Sequence, residues 1–164
     1  LAGSIPLLGQ GLPFIHAGQE FQRSKSGDGN SYQSGDAVNS LKWNLVASNA
    51  ATRNYYKGLI ALRKAHPALR ISDAAVVKSS LKFISTNDQV IAYTIDGKKS
   101  GDSWSSIVVI HNASTKTQVV SLPTSGSWKI AVQGDKAGGS ALATFSGGTK
   151  FSAPPQSTTV LYKN

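Results

Sequence analysis

Two kinds of hydrophobic pattern divide the chain near residue 70. Before that point, apolar residues form a short run at residues 13–17 and then recur three and four positions apart in "NYYKGLIALRKAH". The second spacing is that of one face of a helix. After residue 70, apolar and polar residues alternate in short segments typical of strands: "SLKFIS", "QVIAYTI", "SSIVVIHN", "TQVVSL", "SWKIAVQ", "ALATF" and "STTVLY". Turn-forming residues separate the segments, beginning with Asn87 and Asp88. The pattern predicts an α/β portion in residues 1–70 and an antiparallel β-sandwich in residues 71–164.

Residues 1–70 are predicted to form a strand, a loop and a helix, and these elements need neighbouring strands and helices to cover their apolar surfaces. Residues 1–8 resemble the end of a helix, residues 13–17 a buried strand, and residues 22–43 a long polar loop. The following helix should end before Pro67, because proline disfavours helical geometry in the residue before it. A parallel strand needs neighbours on both edges and helices on its faces. We therefore expect residues 1–70 to be the last strand, loop and helix of a (β/α)8 barrel, with the loop on the active-site side.

Composition narrows the possible functions only slightly. The chain has 164 residues, no Cys and a net charge of +9. Its basic residues are scattered singly rather than clustered, which argues against nucleic-acid binding. No apolar run is long enough to span a membrane. Three separated His residues without nearby acidic partners indicate no metal site, and nothing in the sequence indicates a cofactor.

Three stretches of the first portion resemble one enzyme family. "PFIHAGQEF", "NSYQSGDAVN" and "GLIALRKAHPALR" are similar, in the same order and at similar spacing, to the segment around the eighth barrel strand of type I pullulanases. These are debranching enzymes of the alpha-amylase superfamily of glycoside hydrolases. The resemblance covers residues 1–70 closely, and it continues in architecture, because a β-sandwich domain follows the barrel in that family.

The resemblance implies hydrolysis of α-1,6-glucosidic linkages in pullulan and related α-glucans, with retention. Retaining hydrolysis requires two carboxyl groups about 5 to 5.5 Å apart. In the family, the catalytic acids follow the fourth, fifth and seventh barrel strands, which would all precede Leu1. We therefore expect no catalytic residue in this chain, which would be inactive alone and would need the amino-terminal part of the barrel as its partner. A bacterial enzyme of this kind is expected outside the cell or at its surface.

Sugar binding is the role that the resemblance carries over to this chain. In the superfamily, an Asp and an Asn three residues later hold glucose units on the non-reducing side of the scissile bond, and Asp36 and Asn39 match them. Many relatives have Arg directly after the Asn, where this chain has Ser40. Arg23 or Lys25 could supply the missing positive charge. Tyr32 could stack on a sugar ring or anchor the loop, and Trp43 is expected to anchor it.

A second hypothesis comes from the strand-rich portion. A sandwich with exposed aromatic residues could be a carbohydrate-binding module without catalytic activity, or a module that only stabilises its neighbours. Trp104 and Trp128 are the candidates for a sugar platform, although core packing is the more ordinary role for both. Their exposure would distinguish these roles.

Overall fold

The computed structural model of the chain describes residues 1–87 and 89–164, without the side chains of residues 86 and 87. The predicted turn at Asn87 and Asp88 therefore lies partly outside the described residues. The described residues include one long α-helix, α4 (Ala50–Ala65), and the short α-helices α1 (Ser4–Leu8), α2 (Gly35–Asn39), α3 (Leu45–Ser48) and α5 (Ala74–Ser80). Among the described residues, no helix is both long and apolar enough to cross a membrane.

The strands form one large and one small sheet. Their bounds are β1 (Leu81–Asn87), β2 (Val90–Asp96), β3 (Ser106–Asn112), β4 (Gln118–Ser121), β5 (Ser127–Gln133), β6 (Lys136–Ala137), β7 (Ala143–Ser146), β8 (Lys150–Ala153) and β9 (Ser157–Lys163). The large sheet has the order β1-β2-β3-β9-β5-β6, with β7 also paired to β5, and the small sheet pairs β4 with β8. All these pairs are antiparallel. The predicted antiparallel β architecture is thus confirmed.

The large sheet lies between two hydrophobic cores. One face packs against α1 and α4 through a core that includes Leu8, Leu59 and Val109. The other face packs against the small sheet through a core that includes Trp128 and Phe151. Because both faces are covered, the central strands β3 and β9 are buried along nearly their whole length.

The seven strands predicted from alternation all form, and within residues 71–164 two strands and one α-helix were missed. These are β6, β8 and α5, all of them short. A capping signal for α5 was present in the sequence: Oδ1 of Asp73 accepts hydrogen bonds from the backbone N–H groups of Ala75 and Val76, at 2.7 and 3.1 Å. Helix α4 ends at Ala65, directly before the extended residue His66, as Pro67 predicts.

Residues 13–17 do not form the strand that their apolar sequence predicts. This segment has no strand partner in the part of the chain that is described, and without one its backbone groups cannot enter a ladder. Leu12 is fully exposed and Phe14 is 87% exposed, whereas Ile15 packs partly against the helical core. The predicted barrel strand is therefore not observed within the described residues, and residues 12–17 keep two large apolar side chains, those of Leu12 and Phe14, in solvent.

Neither tryptophan of the strand-rich portion is available as a sugar platform. The ring of Trp104 lies between two others, with its centroid 3.5 Å from that of His66 and 3.7 Å from that of Tyr162. Trp128 is fully buried, and its Nε1 donates to the carbonyl of Thr124 at 3.1 Å. Both residues have the core-packing role, so the interpretation of this pair as an exposed sugar platform is wrong.

Candidate functional site

The polar loop at residues 22–43 is attached to α4 through glutamine side chains. Nε2 of Gln19 donates to the hydroxyl of Tyr56 at 2.9 Å, and Nε2 of Gln22 donates to Oγ1 of Thr52 at 2.7 Å. Phe21, in a short 3₁₀ turn at Gln19–Phe21, is buried at 2% exposure. The start of the loop is therefore fixed, and it determines where the following residues lie.

Arg23 stabilises the inside of the loop. Its guanidinium donates to the carbonyl of Ala17 at 3.2 Å and also to the carbonyl of Asn39. Its Nε is buried and has no hydrogen-bond partner among the described residues. The side chain lies against Gly18, where an added Cβ would come within 2.8 Å of the Cβ of Arg23. Arg23 thus joins the two ends of the loop through backbone carbonyls.

Asn39 has a similar internal role. Its Nδ2 donates to the carbonyl of Ser31 at 2.7 Å, and its Oδ1 accepts from the Ser31 hydroxyl at 3.0 Å and from the ammonium group of Lys25. Because each polar end of the amide already has a partner, the side chain is committed to holding the loop. Lys25 is held in the same cluster, since its Nζ also donates to Oγ of Ser31 at 3.0 Å.

Asp36 and Tyr32 are directed to solvent instead. Asp36 lies in the first turn of α2, is exposed, and its carboxylate has no hydrogen bond or ion pair within the part of the chain that is described. Tyr32, in the 3₁₀ turn at Ser31–Gln33, is 76% exposed. A free carboxylate and an exposed aromatic ring are the two groups that commonly contact sugar hydroxyls and sugar faces. The four predicted site residues therefore divide into two that build the loop and two that are accessible.

Trp43 is largely exposed, whereas a side chain that anchors a loop is expected to be mostly buried. Its ring centroid is 5.8 Å from that of Phe21, with the planes tilted by 41°, yet 67% of the residue remains accessible. Trp43 was predicted to anchor the loop, and the contact with Phe21 agrees with that. Its exposed surface adds a second aromatic group to the accessible side of the loop.

The other acid of the loop, Asp28, is a turn residue. Its Oδ1 accepts from the backbone N–H of Asn30 at 3.0 Å, and its Oδ2 accepts from the hydroxyl of Ser34. These hydrogen bonds hold the pKa of Asp28 below its usual value, and the hydrogen bond from Ser34 has the larger effect. Within the described residues, no three acidic or histidine side chains gather in a way that could hold a metal ion.

A cavity of about 340 Å³ lies beside the loop, between residues 15–20 and α4. Its wall includes Glu20 on one side and Arg53 on the other, and Nε of Arg53 is buried without a partner among the described residues. Ile60 contributes apolar surface and is 39% exposed. Sequence reasoning did not identify this cavity, because its walls come from residues that are distant in the chain.

Comparison with known proteins links this arrangement to one family. A family model described as "Pullulanase, all-beta domain" matches residues 77–136. The chain is 42% identical to the pullulanase of Bacillus subtilis (strain 168) over 130 residues, which are 79% of this chain and 17% of that protein. It is 33% identical to an isoamylase of Flavobacterium sp., over 77% of this chain and 19% of that protein.

Solved structures agree over almost the whole chain. The pullulanase from Bacillus acidopullulyticus has a TM-score of 0.91 at 32% identity, over 99% of this chain and 20% of that one. The type I pullulanase from Bacillus subtilis str. 168, complexed with maltose, has a TM-score of 0.89 at 34% identity, over 99% and 22%. The chain thus spans about a fifth of the length of these proteins. By sequence and by structure, the chain belongs to the pullulanase family.

Proposed function

We propose that this chain is the carboxyl-terminal part of a debranching enzyme that hydrolyses α-1,6-glucosidic linkages in pullulan-like α-glucans with retention. The observation that carries the proposal is the likeness to pullulanases over 99% of the chain, which includes the loop at residues 22–43 as well as the sheets. The acids before α4 are Glu20, Asp28 and Asp36, and Asp28 is already engaged in a turn. In this proposal the catalytic carboxyl groups belong to other parts of the enzyme.

The first portion of the chain would complete a catalytic barrel. The exposed side chains of Leu12 and Phe14 and the cavity against α4 are apolar surfaces that a neighbouring strand and helix would cover. The partner is therefore the amino-terminal barrel portion of the same protein. Residues 1–70 would be the barrel segment and residues 71–164 the β-domain that packs on it.

The loop would contribute to binding of the glucan. Asp36 would accept hydrogen bonds from adjacent sugar hydroxyls, and the ring of Tyr32 would contact a sugar face. Arg23 and Asn39 would act as positioning residues, because their polar groups hold the loop from inside. A pullulanase from Anoxybacillus sp. LM18-11 has been solved in complex with maltotetraose, which supports an α-glucan as the ligand class.

A location outside a bacterial cell, or at its surface, follows from the same proposal. An enzyme that degrades a glucan supplied from outside the cell would have to be exported, because an intact polymer does not cross the membrane. Fractionation of cells that express the whole protein would test this. Activity confined to the cytoplasm would contradict the proposed location without affecting the proposed chemistry.

The test of the sugar-binding role uses the whole enzyme that contains this chain. Asp36→Ala should raise KM for pullulan by about tenfold or more, because a hydrogen bond to a charged group contributes about 1.5 to 3 kcal/mol. Asp135→Ala, which removes an exposed acid in the β-domain, is the matched control. Unchanged KM and kcat in Asp36→Ala would remove Asp36 from the site, and absence of α-1,6 hydrolysis in the unmodified enzyme would reject the proposed activity.

A further inference from the structure

A second cavity, of about 390 Å³, opens on the strand-rich portion, and none of its lining residues belongs to the loop at residues 22–43. It lies between the end of α5, the β1–β2 pair and the residues that lead into β3. Its lining residues include three lysines and several residues that carry hydroxyl groups: Lys82, Lys98, Lys99, Ser79, Ser80 and Thr94. This volume is within the range of about 300 to 1,000 Å³ that is common for small-molecule sites.

The charge balance of this cavity favours an anion. Asp96 is the single acid in its wall, against three lysines. Oδ1 of Asp96 accepts from the backbone N–H of Lys98 at 3.2 Å, so this carboxylate already caps the turn at Gly97–Ser100. In the described part of the chain, the ammonium groups of Lys82 and Lys98 have neither a hydrogen bond nor an ion pair. Two positive groups are therefore available to a ligand.

The walls of the cavity are held in place before any ligand arrives. Nζ of Lys99 donates to the carbonyl of Ser79 at 2.9 Å and so joins the turn at Gly97–Ser100 to α5. The backbone N–H of Ser105 donates to the carbonyl of Lys163 at 2.8 Å, which fixes the opposite wall to β9. A preformed site loses less conformational entropy when it binds a ligand.

One wall residue has an unsatisfied polar group. Ser80 is 2% exposed, and its hydroxyl has no hydrogen-bond partner among the described residues. This hydroxyl is enclosed by protein atoms, so the charged groups that a ligand can reach are those of the exposed residues Lys82 and Lys98. No aromatic ring lines the cavity, so it lacks the flat surface that a neutral sugar would need.

We propose that this cavity binds a phosphate monoester or free phosphate, with Lys82 and Lys98 donating to the dianion and Lys99 adding a positive charge from the position in which Ser79 holds it. Lysine binds phosphate as a compact point charge, and each ammonium group can donate a charge-assisted hydrogen bond to a phosphate oxygen. The site does not depend on the proposed glucan hydrolysis. It differs from the loop in charge, in lining and in ligand class.

The test is a titration of the whole protein that contains this chain, by isothermal calorimetry at low ionic strength. The probes are inorganic phosphate, glucose 6-phosphate and glucose. Saturable binding of phosphate is expected, with affinity that falls as salt is added. The variant Lys82→Gln with Lys98→Gln should lose about tenfold or more in affinity, because it removes two charge-assisted hydrogen bonds. The control is Lys116→Gln with Lys150→Gln, which removes two exposed lysines that do not line the cavity and should bind phosphate like the unmodified protein.

The outcomes separate the possible ligands. Tighter binding of glucose 6-phosphate than of phosphate identifies a sugar phosphate as the natural ligand, whereas equal binding identifies the free anion. Equal affinity in the double variant and in the control would overturn the proposal, since it would indicate a general attraction to the net charge. Binding of glucose alone with the same affinity would overturn it as well, in favour of a neutral sugar site. Circular dichroism establishes that both variants are folded.

Discussion

Nδ1 of His66 lies 2.8 Å from Oδ1 of Asp102, and this contact joins the end of α4 to the loop before β3. The Asp102 side chain is fully buried and also accepts from two backbone N–H groups, that of Ala68 at 3.0 Å and that of Trp104 at 2.8 Å. One carboxylate therefore connects the helical layer to the sheet, next to the ring stack that contains His66 and Trp104.

Asp102→Ala should lower the free energy of unfolding by about 3 kcal/mol, because it leaves buried donors without an acceptor. Urea unfolding followed by tryptophan fluorescence would measure this, since Trp104 reports on the same region. Asp135→Ala provides the reference, because Asp135 is exposed. A loss below about 1 kcal/mol for Asp102→Ala would contradict the connecting role of this carboxylate.

Arg63 is a second buried group that connects separate segments. Its guanidinium donates to the carbonyls of Leu7, Gly9, Leu69 and Gly11, at 3.1, 2.7, 2.5 and 2.5 Å. The residue is 7% exposed, so loss of these hydrogen bonds would leave carbonyl groups unpaired next to α1. The guanidinium acts here as a cap for the end of α1 and for the turn after it.

Arg63→Met should therefore destabilise the fold by about 3 kcal/mol or more, although the apolar length of the side chain is nearly kept. Lys64→Met is the matched control, because Lys64 is the exposed neighbour on the same helix. Thermal unfolding of both variants would make the comparison. If the two melting temperatures fell by the same amount, loss of a surface charge would explain the effect and the capping role would be wrong.

Gly58 sets the distance between α4 and β6. A Cβ at this position would lie 2.0 Å from the carbonyl oxygen of Ala137, and the backbone there cannot yield as a flexible side chain would. Gly58→Ala should therefore force the helix away from the sheet and cost about 2 kcal/mol, although alanine is the better helix former. Gly139→Ala is the control, since a Cβ there meets open space. Denaturant unfolding measures both, and a stabilised Gly58→Ala would show that the contact is loose.

The fold was predictable wherever one physical rule dominated. Alternation identified every strand except the short β6 and β8, and Pro67 identified the end of α4, because each effect is local. The continuous apolar run of β3 is explained only by coverage of both sheet faces, which depends on tertiary structure. The sequence of residues 13–17 is typical of a strand, but a β-ladder needs a second strand, and none of the described residues pairs with this segment.

The sequence predicts a location for the candidate site, but it did not indicate how the roles divide among the residues of the loop. The resemblance identified the loop that carries Asp36, Asn39, Tyr32 and Arg23. Residue type alone did not indicate that the Asn39 amide would turn inward to Ser31 while Asp36 stays exposed. In a loop rich in Ser, Gly and Asn, many polar partners are chemically equivalent, so only the backbone path decides which side chain is free.

The lowered pKa of His111 predicts how the free energy of unfolding depends on pH. Burial lowers the pKa of His111 to about 4. Its Nδ1 is 2.9 Å from Oγ1 of Thr158, and its Nε2 has no hydrogen-bond partner among the described residues. The unfolded chain takes up a proton at this residue near pH 6.5, whereas the folded chain does so only near pH 4. Stability should therefore be independent of this residue above about pH 7 and should fall as the pH decreases from about 6.5 to 4, by about 3 kcal/mol in total.

The contribution of His111 is isolated by comparing the unmodified chain with His111→Gln, which has no titrating group at this position. Urea unfolding is measured at intervals between pH 7.5 and 3.5. Other titrating groups affect both proteins equally, so the difference between the two free energies of unfolding should change by about 3 kcal/mol across this window and be constant on either side of it. A difference that does not vary with pH would mean that His111 accepts a proton in the folded state as readily as in the unfolded state, contrary to the burial of its ring.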